Sequence, residues 1–306
     1  MSKIIKLFQI FFEYIFDICQ FIYFNRYSPF VNKQKKLFYN LLINAHSIEK
    51  GLSLNKPRYL FGKEKIKYII NNLKLYNRQL SKIPIEMSLG ALAHYVILNK
   101  KIKNDDFLDY IELFISNYNK KNLKINGGAV KIKNNNNGIF FRSSSRVFNS
   151  KKISNIYIQK LVELTKKAPS QCNRQSTKLH LYQNKKTINT LLSMQGGANS
   201  FKNKIGNLFI ITSDLTAWGG PGERNQLYVD GSLLAMNLLI SATYMKFDTC
   251  PLNLAKSNYD EYKIKKIGKI PNNEKLIMMI AIGFAVKNRF KAVSVKRDNS
   301  EVLKIH

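Results

Sequence analysis

The chain has 306 residues, a formal charge of +31, 45% hydrophobic residues and 23% charged ones. Its length exceeds that of one ordinary compact domain, and its apolar share excludes general disorder, so two folded units or one domain with a large extension is expected. The charge leaves open a polyanion partner, a membrane surface, or lysines filling ordinary solvent positions; they are scattered among Asn and Ile and gathered on no recognition helix, which disfavours nucleic acid.

From Ile4 to Phe24 the chain is rich in Ile and Phe, but Glu13 and Asp17 interrupt it. No uninterrupted apolar run long enough to cross a bilayer remains, and no small-residue cleavage site follows. Lys3, Lys6, Gln9, Glu13, Asp17 and Gln20 recur at steps of three and four, which places one narrow polar stripe on a helix that is apolar elsewhere. That wide face needs cover from the protein's own helices, from a dimer partner, or from a membrane touched peripherally through residues 1–24. Helices are predicted next over Lys36–Lys50, stopped by a left-handed turn at Gly51, and over Lys63–Leu80, Ile85–Asn99 and Asp105–Asn119, the last favoured by Asp105 and Asp106 at its start. Residues 1–120 therefore read as an all-helical region. Its most motif-like string is Ala45-His46-Ser47-Ile48-Glu49-Lys50-Gly51-Leu52. His46 and Glu49 share a helix face and can bind substrate, hold a proton, or make a structural contact at the helix end.

Between Lys120 and Ile139 the composition shifts to Lys, Asn and Gly, including Gly127-Gly128 and Asn134 to Asn137 ahead of Gly138, which marks a linker over 121–140. Beyond it the pattern alternates: helix Ser154–Lys167, strand Leu179–Tyr182, helix Lys186–Met194, strand Leu208–Thr212, apolar helix Asn225–Tyr244 and strand Leu276–Phe284. Such interleaving predicts a layered α/β or α+β domain over 141–306. Cys19, Cys172 and Cys250 lie far apart, with no CxxC pair and no zinc-ligand spacing, and fit a reducing cytoplasm. His94, His180 and His306 show no partners in the sequence, and no hydrolase elbow is present.

Four features of the second half suit a phosphorylated aromatic cofactor. In Arg142-Ser143-Ser144-Ser145-Arg146, extended backbone would turn Arg142, Ser144 and Arg146 the same way, two guanidiniums around a hydroxyl for a phosphate monoester. The segment Ala168-Pro169-Ser170-Gln171-Cys172-Asn173-Arg174-Gln175 follows a helix and offers backbone and amide groups to the polar edge of a flat ring. Asp230-Gly231-Ser232 opens the apolar helix, and Thr249-Cys250-Pro251-Leu252-Asn253 follows it. Lys296-Arg297 stands near the C-terminus, as a basic return to the phosphate or as a charged tail. The insert Trp218 to Asn225 lacks nucleotide-loop spacing and reads as a loop near the mouth of a site.

Arg-x-Ser-x-Arg followed, after one helix, by Ala-Pro-Ser-x-x-Asn-x-Gln resembles the opening of the FMN-dependent nitroreductase family, over slightly more than half the chain. The resemblance implies an α+β fold: a three-layer α/β/α domain with a mixed, mainly antiparallel sheet, preceded here by the helical region. It implies FMN as cofactor, NADH or NADPH as reductant, a small electron-poor acceptor such as a quinone or nitroaromatic, and a homodimer whose core includes the apolar helix. Arg142, Ser143, Ser144, Arg146, Lys296 and Arg297 would hold the phosphate and ribityl chain. Pro169, Ser170, Gln171, Asn173 and Gln175 would border the ring, while Pro251, Leu252 and Asn253 would pass along it and present a backbone N–H to the flavin N5. The flavin carries the chemistry, so no catalytic side chain and no metal is expected. Ser176-Thr177, where Pro-Trp is common, and Leu254, where Gly is common, put ring stacking and substrate shape in doubt. The alternative is a non-catalytic or repurposed flavin fold whose basic helical half binds a membrane surface or an acidic partner.

Overall fold

A computed structural model describes residues 3–24, 27–100, 105–118, 127–131, 142–218, 221–286 and 290–306. Of the expected linker only 127–131 falls among them; the Asn-rich run and Phe141 lie outside. In chain order the first elements are α1 (Lys3–Phe24), α2 (Lys33–Leu52), α3 (Lys63–Leu73), α4 (Ile83–Asn99), α5 (Asp106–Tyr118), β1 (Ala129–Lys131) and β2 (Phe148–Asn149). Then come α6 (Asn155–Thr165), β3 (Thr177–Tyr182), α7 (Lys185–Gln195), β4 (Asn207–Asp214), α8 (Gln226–Tyr244) and β5 (Phe247–Asn253). The chain closes with α9 (Asn258–Gly268), β6 (Glu274–Ala285), β7 (Phe290–Ala292) and α10 (Asn299–Val302). Two compact units result: Met1–Asp17 with Asn134–Lys287, and Ile18–Lys133 with Asn288–His306.

In the helical unit α4 is the central element, because its apolar residues are not confined to one stripe and it is buried nearly all round. Leu41 and Ile48 of α2, Ile66 and Ile69 of α3, and Ile111 of α5 close around its Leu89, Leu92 and Tyr95. Asp105 starts α5 as expected, accepting from the backbone N–H groups of Phe107 and Leu108 at 3.0 and 3.1 Å. Two expectations are corrected. The third helix ends at Leu73 rather than Leu80, since Asn72 folds its amide back onto the Tyr68 carbonyl and the Tyr118 hydroxyl donates to the Leu73 carbonyl at 3.1 Å, satisfying the helix end from outside. The second helix runs through Gly51 to Leu52 without a left-handed turn. Glycine is needed there for close approach instead: a Cβ would lie 2.2 Å from the Phe61 ring.

The C-terminal tail departs from the 141–306 domain reading. β7 pairs antiparallel with β1, Ala292 opposite Ala129, and Ser81 donates to Glu301 at 2.9 Å. The end of the chain thus folds with the helical unit.

The other unit is built on a five-stranded sheet with β6 at its centre, paired to β4, β5 and β2, while β3 pairs β4. All these ladders are antiparallel, and one parallel bridge joins Ser144 to Thr249, so the sheet is mixed and mainly antiparallel. Met279, Ile280, Ala281 and Ile282 of β6 are all fully buried, the continuous apolar run of a strand covered on both faces. Ile280 and Ile282 meet Leu161 of α6 and Ala235, Leu238 and Ala242 of α8 on one side. Facing the other way, Met279 and Ala281 are as closed to solvent as Ile188 and Leu191 of α7 and Ile264 of α9. This is the three-layer α/β/α arrangement. α9 went unread because its apolar stripe is thin, although Ser257 caps it, Asp260 and Glu261 fill its first turn, and Lys265 and Lys266 its last.

Candidate functional site

Residues 142–147 run beside β5. The Ser145 N–H donates to the Thr249 carbonyl at 2.8 Å, and the buried Ser145 hydroxyl donates to the Val147 carbonyl at 3.0 Å, so Ser145 shapes the segment. Arg146 is 9% exposed. Arg142 is half-buried, and its Nη1 is fully buried with no hydrogen-bond partner among the described residues. Burial pulls the Arg142 pKa below its ordinary value, against an opposing effect of the neighbouring Cys250. A guanidinium keeps its charge at neutral pH all the same, and an unsatisfied buried donor costs about 1–3 kcal/mol. On the adjoining strand the buried Thr249 hydroxyl likewise has no partner among the described residues. An anion with several acceptor oxygens would satisfy such a donor set, and a phosphate monoester fits it.

The loop after α6 is strained. Cys172, Asn173 and Gln175 take φ of 49°, 52° and 50°, left-handed positions that cost a non-glycine residue about 1–2 kcal/mol each. Asp230, 2% exposed inside α8, holds the loop: one carboxylate oxygen accepts from the Gln171 N–H at 3.0 Å and the other from the Gln226 amide at 2.8 Å. Ser170 accepts from the Gln175 N–H at 3.1 Å, and the Gln175 amide donates to Asn173 at 3.1 Å, so Ser170, Asn173 and Gln175 keep the loop's shape. Asn173 and Gln175 are exposed, whereas the Gln171 Oε1 is a buried acceptor with no partner among the described residues. Arg174 anchors the Trp218 to Asn225 insert through Glu223 at 2.7 Å, the Ala217 carbonyl at 3.0 Å and the Trp218 ring at 5.1 Å; Gly219 and Gly220 of that insert lie outside the described residues.

Pro251, Leu252 and Asn253 form the end of β5, opposite Ile280, Met279 and Met278. Gln195 donates to the Asn253 carbonyl at 3.0 Å and receives the Gly197 N–H at 2.8 Å, fixing that strand end. Lys296 and Arg297 belong to the helical unit, where the Arg297 guanidinium lies 4.8 Å over the Phe38 ring.

Residues 139–207 match the model of the nitroreductase family. Among solved structures, a Staphylococcus epidermidis protein provisionally named an NAD(P)H:FMN oxidoreductase superposes with a TM-score of 0.50 at 19% identity, over 58% of this chain and 98% of that one. The C-terminal half is a nitroreductase-type fold. An FMN-dependent nitroreductase from Clostridium difficile R20291 gives a TM-score of 0.44 at 17% identity, covering 55% of this chain and 95% of its own. A nitroreductase-like protein from Streptococcus mutans gives 0.46 at 20%, over 55% and 95%. No curated protein matches the chain.

The nitroreductase match spans the Arg142–Arg146 segment and the 168–175 loop but stops short of α8 and β5. Asp230, which the sequence offers as the opening of the apolar helix, instead lies buried inside α8, and its hold on the Gln171 N–H is a positioning contact that the sequence did not reveal. Two histidines also have partners invisible in sequence. His180 Nε2 lies 2.7 Å from Glu274, a carboxylate 1% exposed that also receives Lys178 at 2.9 Å and the Thr212 hydroxyl. His94 accepts from the Ala129 N–H at 2.9 Å. His46 lies 3.2 Å from Glu49, whose other oxygen accepts from the Gly128 N–H at 3.1 Å, which is the structural contact at the helix end.

Proposed function

We propose that the nitroreductase-type unit binds FMN and acts as an NAD(P)H-dependent oxidoreductase, passing a hydride to an electron-poor small molecule such as a quinone or a nitroaromatic compound. The observation that carries this reading is the half-buried Arg142, whose buried Nη1 donates to none of the described residues. Arg142, Ser143, Ser144 and Arg146 would hold the phosphate and ribityl chain. Pro169, Ser170, Gln171, Asn173 and Gln175, with Pro251, Leu252 and Asn253, would border the ring. When bound, FMN supplies the hydride chemistry; the chain's task is to bind and orient it and to shape the acceptor pocket. The buried Gln171 oxygen suits an N–H on a heterocycle edge, and the family match over 139–207 supports the assignment of the first two segments. Lys296 and Arg297, folded into the helical unit, are left out of this reading.

A homodimer belongs to the same proposal. Val229, Leu233 and Met236, at steps of four and three along α8, are 50%, 42% and 49% exposed and form an apolar stripe that a second copy would cover.

The deciding experiment is a visible absorbance spectrum of the purified protein with added FMN, then with NADH or NADPH without oxygen. Flavin bands that bind to the protein and bleach on nicotinamide addition are the expected result. Failure to bind FMN would sink the reading and favour a repurposed fold.

A further inference from the structure

We infer that α1 is an interfacial helix that seats the protein on an anionic lipid surface. The helix is 22 residues long, and its large apolar side chains face solvent: Ile4, Leu7, Phe8, Phe11, Phe12 and Phe16 are 58–66% exposed. None of the described elements covers them. Projected at 3.6 residues per turn, the apolar positions fill an arc of about 200° and the polar ones the remainder. A seam between two helices needs only a narrow stripe, so pairing with a second copy would leave much of this arc wet. A lipid interface wets the whole half-cylinder, and its depth suits the Phe and Tyr side chains that dominate the face.

Position and charge agree. No helix among the described residues is long and apolar enough to cross a membrane, and Glu13 and Asp17 lie within α1, so the helix can lie on a bilayer but not span it. Soon after the helix Tyr27 and Phe30 are 84% and 68% exposed, with Tyr23 stacked on Phe30 at 4.7 Å. Exposed Lys33 and Lys35 follow at once, and the whole chain carries +31. An anionic headgroup layer complements that charge.

The test is co-sedimentation of the full-length protein with phosphatidylcholine vesicles, with and without phosphatidylglycerol, beside the double variant Phe8→Gln/Phe12→Gln. Both positions are more than 60% exposed, so the fold should tolerate the change. The wild type is expected to pellet with the anionic vesicles and far less with neutral ones, and the variant to partition about tenfold less or weaker still. Equal binding by the variant would mean that scattered lysines hold the protein to the vesicle, and the inference would fall. It would fall equally if binding were indifferent to phosphatidylglycerol, or if the wild type ignored vesicles while velocity sedimentation showed an oligomer that the variant dissociates. The assay reads lipid binding alone, so its failure leaves the flavin reading standing.

Discussion

In the helical unit the fully buried Glu49 is matched twice, by the Gly128 N–H and by His46, while in the α/β unit Arg142 keeps a buried Nη1 with no acceptor among the described residues. The α/β unit can match its buried charges too: Glu274 receives Thr212, Lys178 and His180. Among the described residues of the helical unit, the buried side-chain groups without a partner include the neutral hydroxyls of Ser88 and Tyr95. A matched buried charge is architecture; a buried guanidinium nitrogen with no partner among the described residues is the feature on which the proposed flavin site rests.

The sharpest way to break this contrast is Arg142→Ala. It should weaken FMN binding by about 100-fold or more, close to 3 kcal/mol, in a fluorescence titration, while the denaturation midpoint stays level or rises because an orphaned donor has gone. Unchanged FMN affinity would erase the distinction between the units. Gly128→Ala probes the opposite side. Gly128 has φ of +85°, and a Cβ there would lie 1.9 Å from the His94 ring, so the change should cost about 3 kcal/mol of stability by urea unfolding without altering the FMN affinity of molecules that remain folded.

Acid should act on the matched charges. Burial pushes the Glu274 carboxyl up, but hydrogen bonds from Thr212, Lys178 and His180 outweigh it and hold the pKa below the usual carboxylate range; in Glu261 burial is likewise overcome, by Lys275, the Leu276 N–H and Lys265. A lowered folded pKa means that the unfolded chain takes up the proton first. These contributions are therefore complete above the unfolded value of about 4.3 and are lost as pH falls below it toward the folded values. Urea midpoints measured down that range should drop, and Glu274→Gln should flatten part of the slope. The smallest effect is expected from Asp230→Asn, which keeps the shape but weakens the acceptor of the Gln171 N–H: about a three- to tenfold loss of FMN affinity, roughly 1 kcal/mol, read by the same titration.

Much of the architecture could be read from local pattern. Helix periodicity located α2 through α8 apart from their ends, and apolar runs located β3, β4 and β6, because a helix or a covered strand writes its burial into neighbouring residues. β5 was not recognised as a strand, since Pro251 within it argues against a ladder position. β1, β2 and β7 are too short to carry a period at all. Of the site, Arg142 and the 168–175 loop were visible as a motif order, whereas the Asp230 clamp was not.

The sequence by itself determined the helical content and the motif order that the nitroreductase family match over 139–207 covers. Only the tertiary structure decided that the tail returns to the helical unit, that Gln171 is held by a carboxylate 59 residues away, that the Gly128 amide meets Glu49 across 79 residues, and that the Arg142 Nη1 is buried with no partner among the described residues. Periodicity reports on residues within a turn or two of one another. Burial and partnership between distant residues are properties of how whole elements pack, and that packing is where the unspent charge of this protein was made.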